Sequence, residues 1–188
     1  VARSTERPLR ADAQRNRERI LSAAVRIFTE EGLGTHLERI AKEAGVGSAT
    51  LYRNFPTREA LIAAAYHNEL TRLCAAAPAL LADHPPKDAL RAWMSRLIEY
   101  TTAKFGMADA LRAVVDSGVN PYADSPNQIM AAIESLLAAG AARPDVTAAE
   151  VFTLLTGIAL ALDRSGEPGQ AERLLDLALI GLTAEQAS

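Results

Sequence analysis

Residues 37–56 read LERIAKEAGVGSATLYRNFP, and this stretch decides the fold. Leu37, Ile40, Ala41 and Ala44 stand at i, i+3, i+4 and i+7, the apolar stripe of a short amphipathic helix. Gly45 follows where the chain must reverse, and glycine accepts the left-handed conformation that ends a helix. Val46 fills the turn. Ser48 to Asn54 form a second short helix, with Leu51 and Phe55 directed inward. Gly47, Ser48, Ala49 and Thr50 at its start are small, as required of a helix whose end must approach base edges in a major groove. The pattern is a helix-turn-helix, and it directs the expectation toward DNA. An ordinary helical hairpin is the competing reading. Just upstream, Thr35-His36-Leu37-Glu38 fits a capping box, so Thr35 is expected to cap the first of the two helices.

The rest of the chain predicts more helix. Of its 188 residues, 49% are hydrophobic, enough for a sizeable core in one or two domains. Ala, Leu, Arg and Glu favour helices, and no stretch alternates in the manner of a strand. The single cysteine, Cys74, cannot form an intramolecular disulfide and fits a reducing compartment. On an Ala/Leu-rich helix it reads as a small apolar residue, with a redox sensor as the alternative. The first nineteen residues are polar and Arg-rich, with no apolar signal segment. The longest apolar run, Cys74 to Ala82, contains Pro78 and is far short of a membrane span. A cytoplasmic protein without a membrane partner is expected.

An arm at residues 1–10, carrying Arg3, Arg7 and Arg10, is expected to be flexible. Helices are then predicted over about 11–31, 37–44, 48–54, 58–76, 87–104, 108–116, 126–139, 148–163 and 170–183. Thr57 and Thr147 read as caps, the latter with Glu150 in a second capping box. Ser125-Pro126 reads as a cap followed by proline in the first turn. The architecture is an all-α chain of about nine helices. It comprises an arm and helix-turn-helix domain (1–56) and a helical body (57–188). Charge follows this division: residues 1–58 carry eleven Lys/Arg against seven Asp/Glu, and residues 59–188 nine against sixteen. A chain of net charge −3 can still bind DNA when its cations gather on one face.

The last two helices are apolar on more than one side, and such a helix is not a surface helix. Val151, Leu155, Ile158 and Leu162 on one, with Leu174, Leu177, Ala178 and Gly181 on the other, are the candidate seam between two copies of the chain. A fully internal final helix is the alternative. Nothing points to catalysis. His36, His67 and His84 lack metal-binding spacing, and no phosphate loop or nucleophile elbow occurs. No enzyme, catalytic residue, metal or cofactor is expected.

The N-terminal segment resembles the tetracycline-repressor (TetR) family of transcriptional regulators. The resemblance is carried by Arg19-Ile20-Leu21-Ser22-Ala23-Ala24, Phe28, Gly32, Ile40-Ala41, Ala44-Gly45-Val46, Thr50-Leu51-Tyr52, Phe55 and Arg58-Glu59-Ala60-Leu61, within residues 15–62. It implies an all-helical homodimer with a three-helix DNA head and a ligand-sensing body, the last two helices supplying the dimer interface. His36, Gly47 and Asn54 depart from the family's usual residues at their positions.

On that reading, two recognition helices meet an inverted-repeat operator in double-stranded DNA. Ser48, Ala49 and Thr50, opened by Gly47, face bases. Tyr52, Asn54, His36 and Arg58 face phosphate, and Arg53 can do either. A small-molecule effector is expected among Tyr66, Leu70, Trp93, Leu97, Tyr100, Met107, Leu111, Met130, Ile133 and Leu137, although core packing has the same appearance in sequence. Effector binding would release the operator and make the chain a repressor. A constitutive DNA-binding regulator without an effector is the alternative.

Overall fold

The computed structural model describes residues 6–165, 167 and 169–183. Among them every extended regular element is an α-helix: α1 (Glu6–Glu31), α2 (Leu37–Glu43), α3 (Ser48–Asn54), α4 (Arg58–Asp83), α5 (Pro86–Gly106), α6 (Ala108–Asp116), α7 (Ser125–Ala138), α8 (Ala148–Ser165) and α9 (Gln170–Thr183), with a 3₁₀ turn at Gly32–Gly34.

The chain forms two compact units. The first runs to Asn68 and takes in Gly106–Pro121; the second comprises Glu69–Phe105 and the chain from Tyr122 onward. The first unit therefore contains α1 to α3, the start of α4, and α6. Its core joins Ile20, Ile27 and Phe28 of α1 with Ile40 of α2, Leu51 of α3, Leu61 and Ile62 of α4, and Leu111 and Val114 of α6. Gly106 lies so close to Thr29 of α1 that a Cβ there would collide with the threonine methyl. The second unit buries Leu73 and Ala77 of α4, Leu90, Trp93 and Met94 of α5, Ile133 and Leu136 of α7, Val151 and Leu155 of α8, and Leu175 of α9. The Trp93 indole N–H, fully buried, donates to the Leu73 carbonyl at 3.0 Å. Arg91 ties α5 to α9, its Nε donating to Asp176 at 2.7 Å and its Nη2 to Glu172.

Several expected boundaries are corrected. Residues 6–10 are helical rather than a flexible arm; Arg3 lies outside the described residues. The segment from Ala11 to Arg15 contains no stop signal, and Pro8 falls in the first turn, where its missing N–H costs nothing. Helix α4 continues to Asp83 instead of ending near Ala76, with Pro78 inside it. Proline opposes a helix interior, but Ala76, Ala77 and Leu80 on either side are buried, and their packing carries the helix onward. Ser125 is the first residue of α7 and not its cap, a position held by Asp124 without a side-chain bond. Gly166, expected in the turn before α9, lies outside the described residues. The Thr147–Glu150 capping box is present: Glu150 accepts from the Thr147 N–H at 2.8 Å, and the Glu150 N–H donates to the Thr147 hydroxyl at 3.3 Å. Thr57 likewise accepts from the Ala60 N–H at 3.1 Å.

Candidate nucleic-acid interface

The turn between α2 and α3 is built by local hydrogen bonds. The Val46 N–H donates to the Ala41 carbonyl at 3.0 Å, and the Gly45 N–H to the Lys42 carbonyl at 3.1 Å. These two bonds form a Schellman closure, which needs a left-handed residue, and Gly45 supplies it at φ +64°. Helix α3 begins after Gly47, whose carbonyl accepts from Thr50 and Leu51. It ends at Phe55, extended at φ −139°, as the residue preceding a proline must be. Leu51 and Phe55 are buried, anchoring α3 by one face. The Arg17 guanidinium covers the Phe55 ring at 4.6 Å from its centroid.

The opposite face of α3 is open. Gly47, Ser48, Ala49, Tyr52 and Arg53 are exposed, and Thr50 and Asn54 are half-buried. Arg53 donates to the Thr50 hydroxyl at 3.2 Å, and the Asn54 amide to the Thr50 carbonyl at 2.8 Å. His36 is exposed at the cap position of α2 but makes no capping bond. Thr35 does not form the expected capping box. Helix α2 starts one residue later than that motif requires, and the Thr35 hydroxyl turns back to Glu31 at 3.1 Å.

Glu38, free of that box, accepts a hydrogen bond from the Tyr52 phenol at 2.9 Å. The carboxylate raises the phenol above its ordinary pKa. Glu38 is itself lowered, first by its own backbone N–H and next by the phenol. Arg58, half-buried, donates to the Thr35 carbonyl at 2.6 Å and lies over the Phe28 ring at 5.9 Å. The structure thus gathers His36, Glu38, Tyr52 and Arg58 on one side of the helix pair. Glu38 was not a candidate, because a sequence motif reads as a local cap and not as a cross-helix acceptor.

The candidate effector residues lie mostly in cores. Tyr66, Met107 and Leu111 are buried in the first unit. Leu70, Trp93, Leu97, Tyr100 and Ile133 are buried in the second, where Met130 and Leu137 are half-buried. Tyr100 also borders a depression of about 470 Å³, but its other walls are largely charged: Glu69, Arg72, Arg96 and Glu99. Cys74 is half-buried, and burial pushes its thiol up, away from the reactive thiolate.

The candidate seam divides. Val151 and Leu155 are fully buried inside the second unit and are corrected from interface to core. Ile158, Leu162, Leu174 and Ala178 are half-buried, while Leu177 and Gly181 are exposed. Leu154 and Leu160 on α8, and Ile180 on α9, are exposed apolar residues outside the candidate set. An alternation of this kind is invisible in a helix apolar nearly all round. Among the described residues, no group of His, Cys, Asp or Glu is placed to hold a metal, and no helix is long and apolar enough to cross a membrane.

Two family profiles match the chain. "Bacterial regulatory proteins, tetR family" covers residues 20–65, and "Transcriptional regulator SbtR-like, C-terminal domain" covers residues 85–184. A TetR transcriptional regulator from Streptomyces coelicolor is 61% identical, with a TM-score of 0.85 over 89% of this chain and 98% of that one. A TetR regulatory protein from Mycobacterium vanbaalenii is 34% identical, with a TM-score of 0.75 over 94% and 99% of the two chains. An HTH-type transcriptional regulator of Staphylococcus aureus is 46% identical over 54 residues, spanning 28% of this chain and only 29% of that regulator. With both parts of the chain matched, and the helix-turn-helix and helical body in place, this protein belongs to the TetR family of DNA-binding transcriptional regulators.

Proposed function

We propose that the protein is a cytoplasmic repressor. It acts as a homodimer that sets two copies of α3 into an inverted-repeat operator, and a small molecule bound in its helical body releases it. The observation that carries this reading is the open, small-residue start of α3: Gly47, Ser48 and Ala49 are exposed while Leu51 and Phe55 anchor the other face. Ser48 suits hydrogen bonding at base edges, and Ala49 or the Thr50 methyl suits a thymine methyl. Tyr52, His36, Asn54 and Arg58 suit phosphate, which fixes register, and Arg53 suits either.

The exposed leucines of α8 and α9 support pairing of two chains. Leu177 is 65% and Ile180 61% exposed in the single chain, and apolar side chains so placed mark an interaction surface. Footprinting on the protein's own upstream DNA tests the reading. Two protected half-sites, related by a dyad and spaced by roughly one helical turn or a multiple, are expected. Protection without two-fold symmetry refutes it.

A second reading, a regulator with no effector, is favoured by the tight packing of Trp93, Leu97 and Ile133. Operator release by a small-molecule cell extract separates the two: release supports the sensor, and persistent binding supports the constitutive regulator.

A further inference from the structure

The hydroxyl of Tyr52 has one proton to donate. In the free protein that proton is directed at Glu38, 2.9 Å away across the α2–α3 pair, on the exposed face of both helices. A DNA phosphate offers only acceptors, so the phenol can serve Glu38 or a phosphate but not both. Glu38 and a phosphate are both anionic acceptors, and neither can donate to the other. Binding the backbone through Tyr52 therefore removes a hydrogen bond and brings a carboxylate beside a phosphate.

His36 at the cap of α2 and Arg58 at the start of α4 both act favourably on the Glu38 carboxylate. Arg58 already donates to the Thr35 carbonyl at 2.6 Å. Of the other cations on or beside α2, Arg39 and Arg26 both pair with Glu43.

We propose that Glu38 is an internal stand-in for phosphate: it occupies the Tyr52 donor in the free protein, must surrender it on the duplex, and so sets how tightly DNA is held. The proposal rests on the DNA-binding reading above. It makes Glu38 a positioning residue that acts through Tyr52.

The test is a double-mutant cycle with E38Q, E38A, Y52F and the combined E38A/Y52F protein, titrated against a fixed duplex over a range of salt. E38A is expected to tighten binding by about three- to tenfold, with E38Q between it and the parent. In the Y52F background the gain is expected to shrink to the small remainder due to net charge. A second readout needs no DNA. The Tyr52 phenol, isolated by the spectrophotometric differences parent minus Y52F and E38A minus E38A/Y52F, is expected to ionise at lower pH in the E38A background. An equal gain with and without the phenol, a weakened E38A complex, or a phenol titration unmoved by E38A overturns the proposal. A parent protein that binds no duplex at low salt refutes the DNA reading and the proposal with it. The phenol titration then still shows whether the pairing itself exists, so the two failures are distinguishable.

Discussion

The guanidinium of Arg58, the first residue of α4, donates at 2.6 Å to the carbonyl of Thr35, just before α2. Within the first unit, one side chain thus joins the start of α4 to the entry of the helix-turn-helix. Its position over the Phe28 ring, 5.9 Å from the centroid, adds a second attachment. Arg58→Ala should therefore lower folding stability as well as DNA affinity. A hydrogen bond from a charged donor contributes on the order of 1.5–3 kcal/mol, and the half-burial of Arg58 places it toward the lower end. Denaturant unfolding reads the first effect, and the salt slope of DNA binding, flattened by about one phosphate, reads the second. An unchanged unfolding midpoint would show that the Thr35 contact does not stabilise the head.

Gly106 is required for space. An alanine Cβ there would strike the Thr29 side chain, which lies within the same compact unit. Gly106→Ala should destabilise by about 1–3 kcal/mol, the usual cost of overpacking. Thr29→Ala in the same chain should restore part of the loss, because it removes the methyl that approaches nearest. Additive losses in the double variant would locate the strain elsewhere.

Leu155 and Leu177 look alike in sequence but should behave oppositely. Leu155 is fully buried, and Leu177 is 65% exposed. Leu155→Ala should cost about 2–5 kcal/mol of folding stability. On the proposed homodimer, Leu177→Glu should leave the isolated fold intact and shift the protein toward monomer in sedimentation. A Leu177→Glu protein that remained dimeric would remove α9 from the interface.

Acid should weaken the start of α8. The Glu150 carboxyl is held below its ordinary 4.5, chiefly by the Thr147 backbone N–H and then by the Thr147 hydroxyl. A carboxyl lowered in the folded state stabilises fully above its unfolded value, and that contribution is lost as pH falls through the folded value. Glu150→Gln should make stability fall less steeply below pH 4.5. The slope that remains is expected to include Glu38 and Glu43, whose carboxyls are lowered too. Identical pH profiles for parent and variant would refute the assignment.

Much of the helix pair is legible in the sequence. The spacing of Leu37, Ile40 and Ala41 predicted a buried stripe, and all three are buried. The small residues opening α3 are expected to approach base edges; Ser48 and Ala49 are exposed, as that role would need. Thr35 and Glu38 both depart from the capping box their sequence predicts, because a four-residue motif states which groups can bond and not which partners lie nearer. Glu31 and Tyr52 lie nearer, brought there by the end of α1 and by the α3 crossing. The candidate effector residues were poorly resolved for another reason: the lining of a pocket and the filling of a core use the same apolar side chains.

The order of residues by itself determined the helices, the turn at Gly45 and the Thr147–Glu150 cap. Each is settled by hydrogen bonds and backbone preferences spanning half a dozen residues, which the chain carries wherever it goes. Tertiary structure alone decided that α4 continues through Pro78, that Val151 and Leu155 turn inward while Leu177 and Ile180 stay in solvent, and that Glu38 holds Tyr52. Those outcomes depend on which surfaces meet across distant parts of the chain, and burial, unlike helicity, is a property of neighbours.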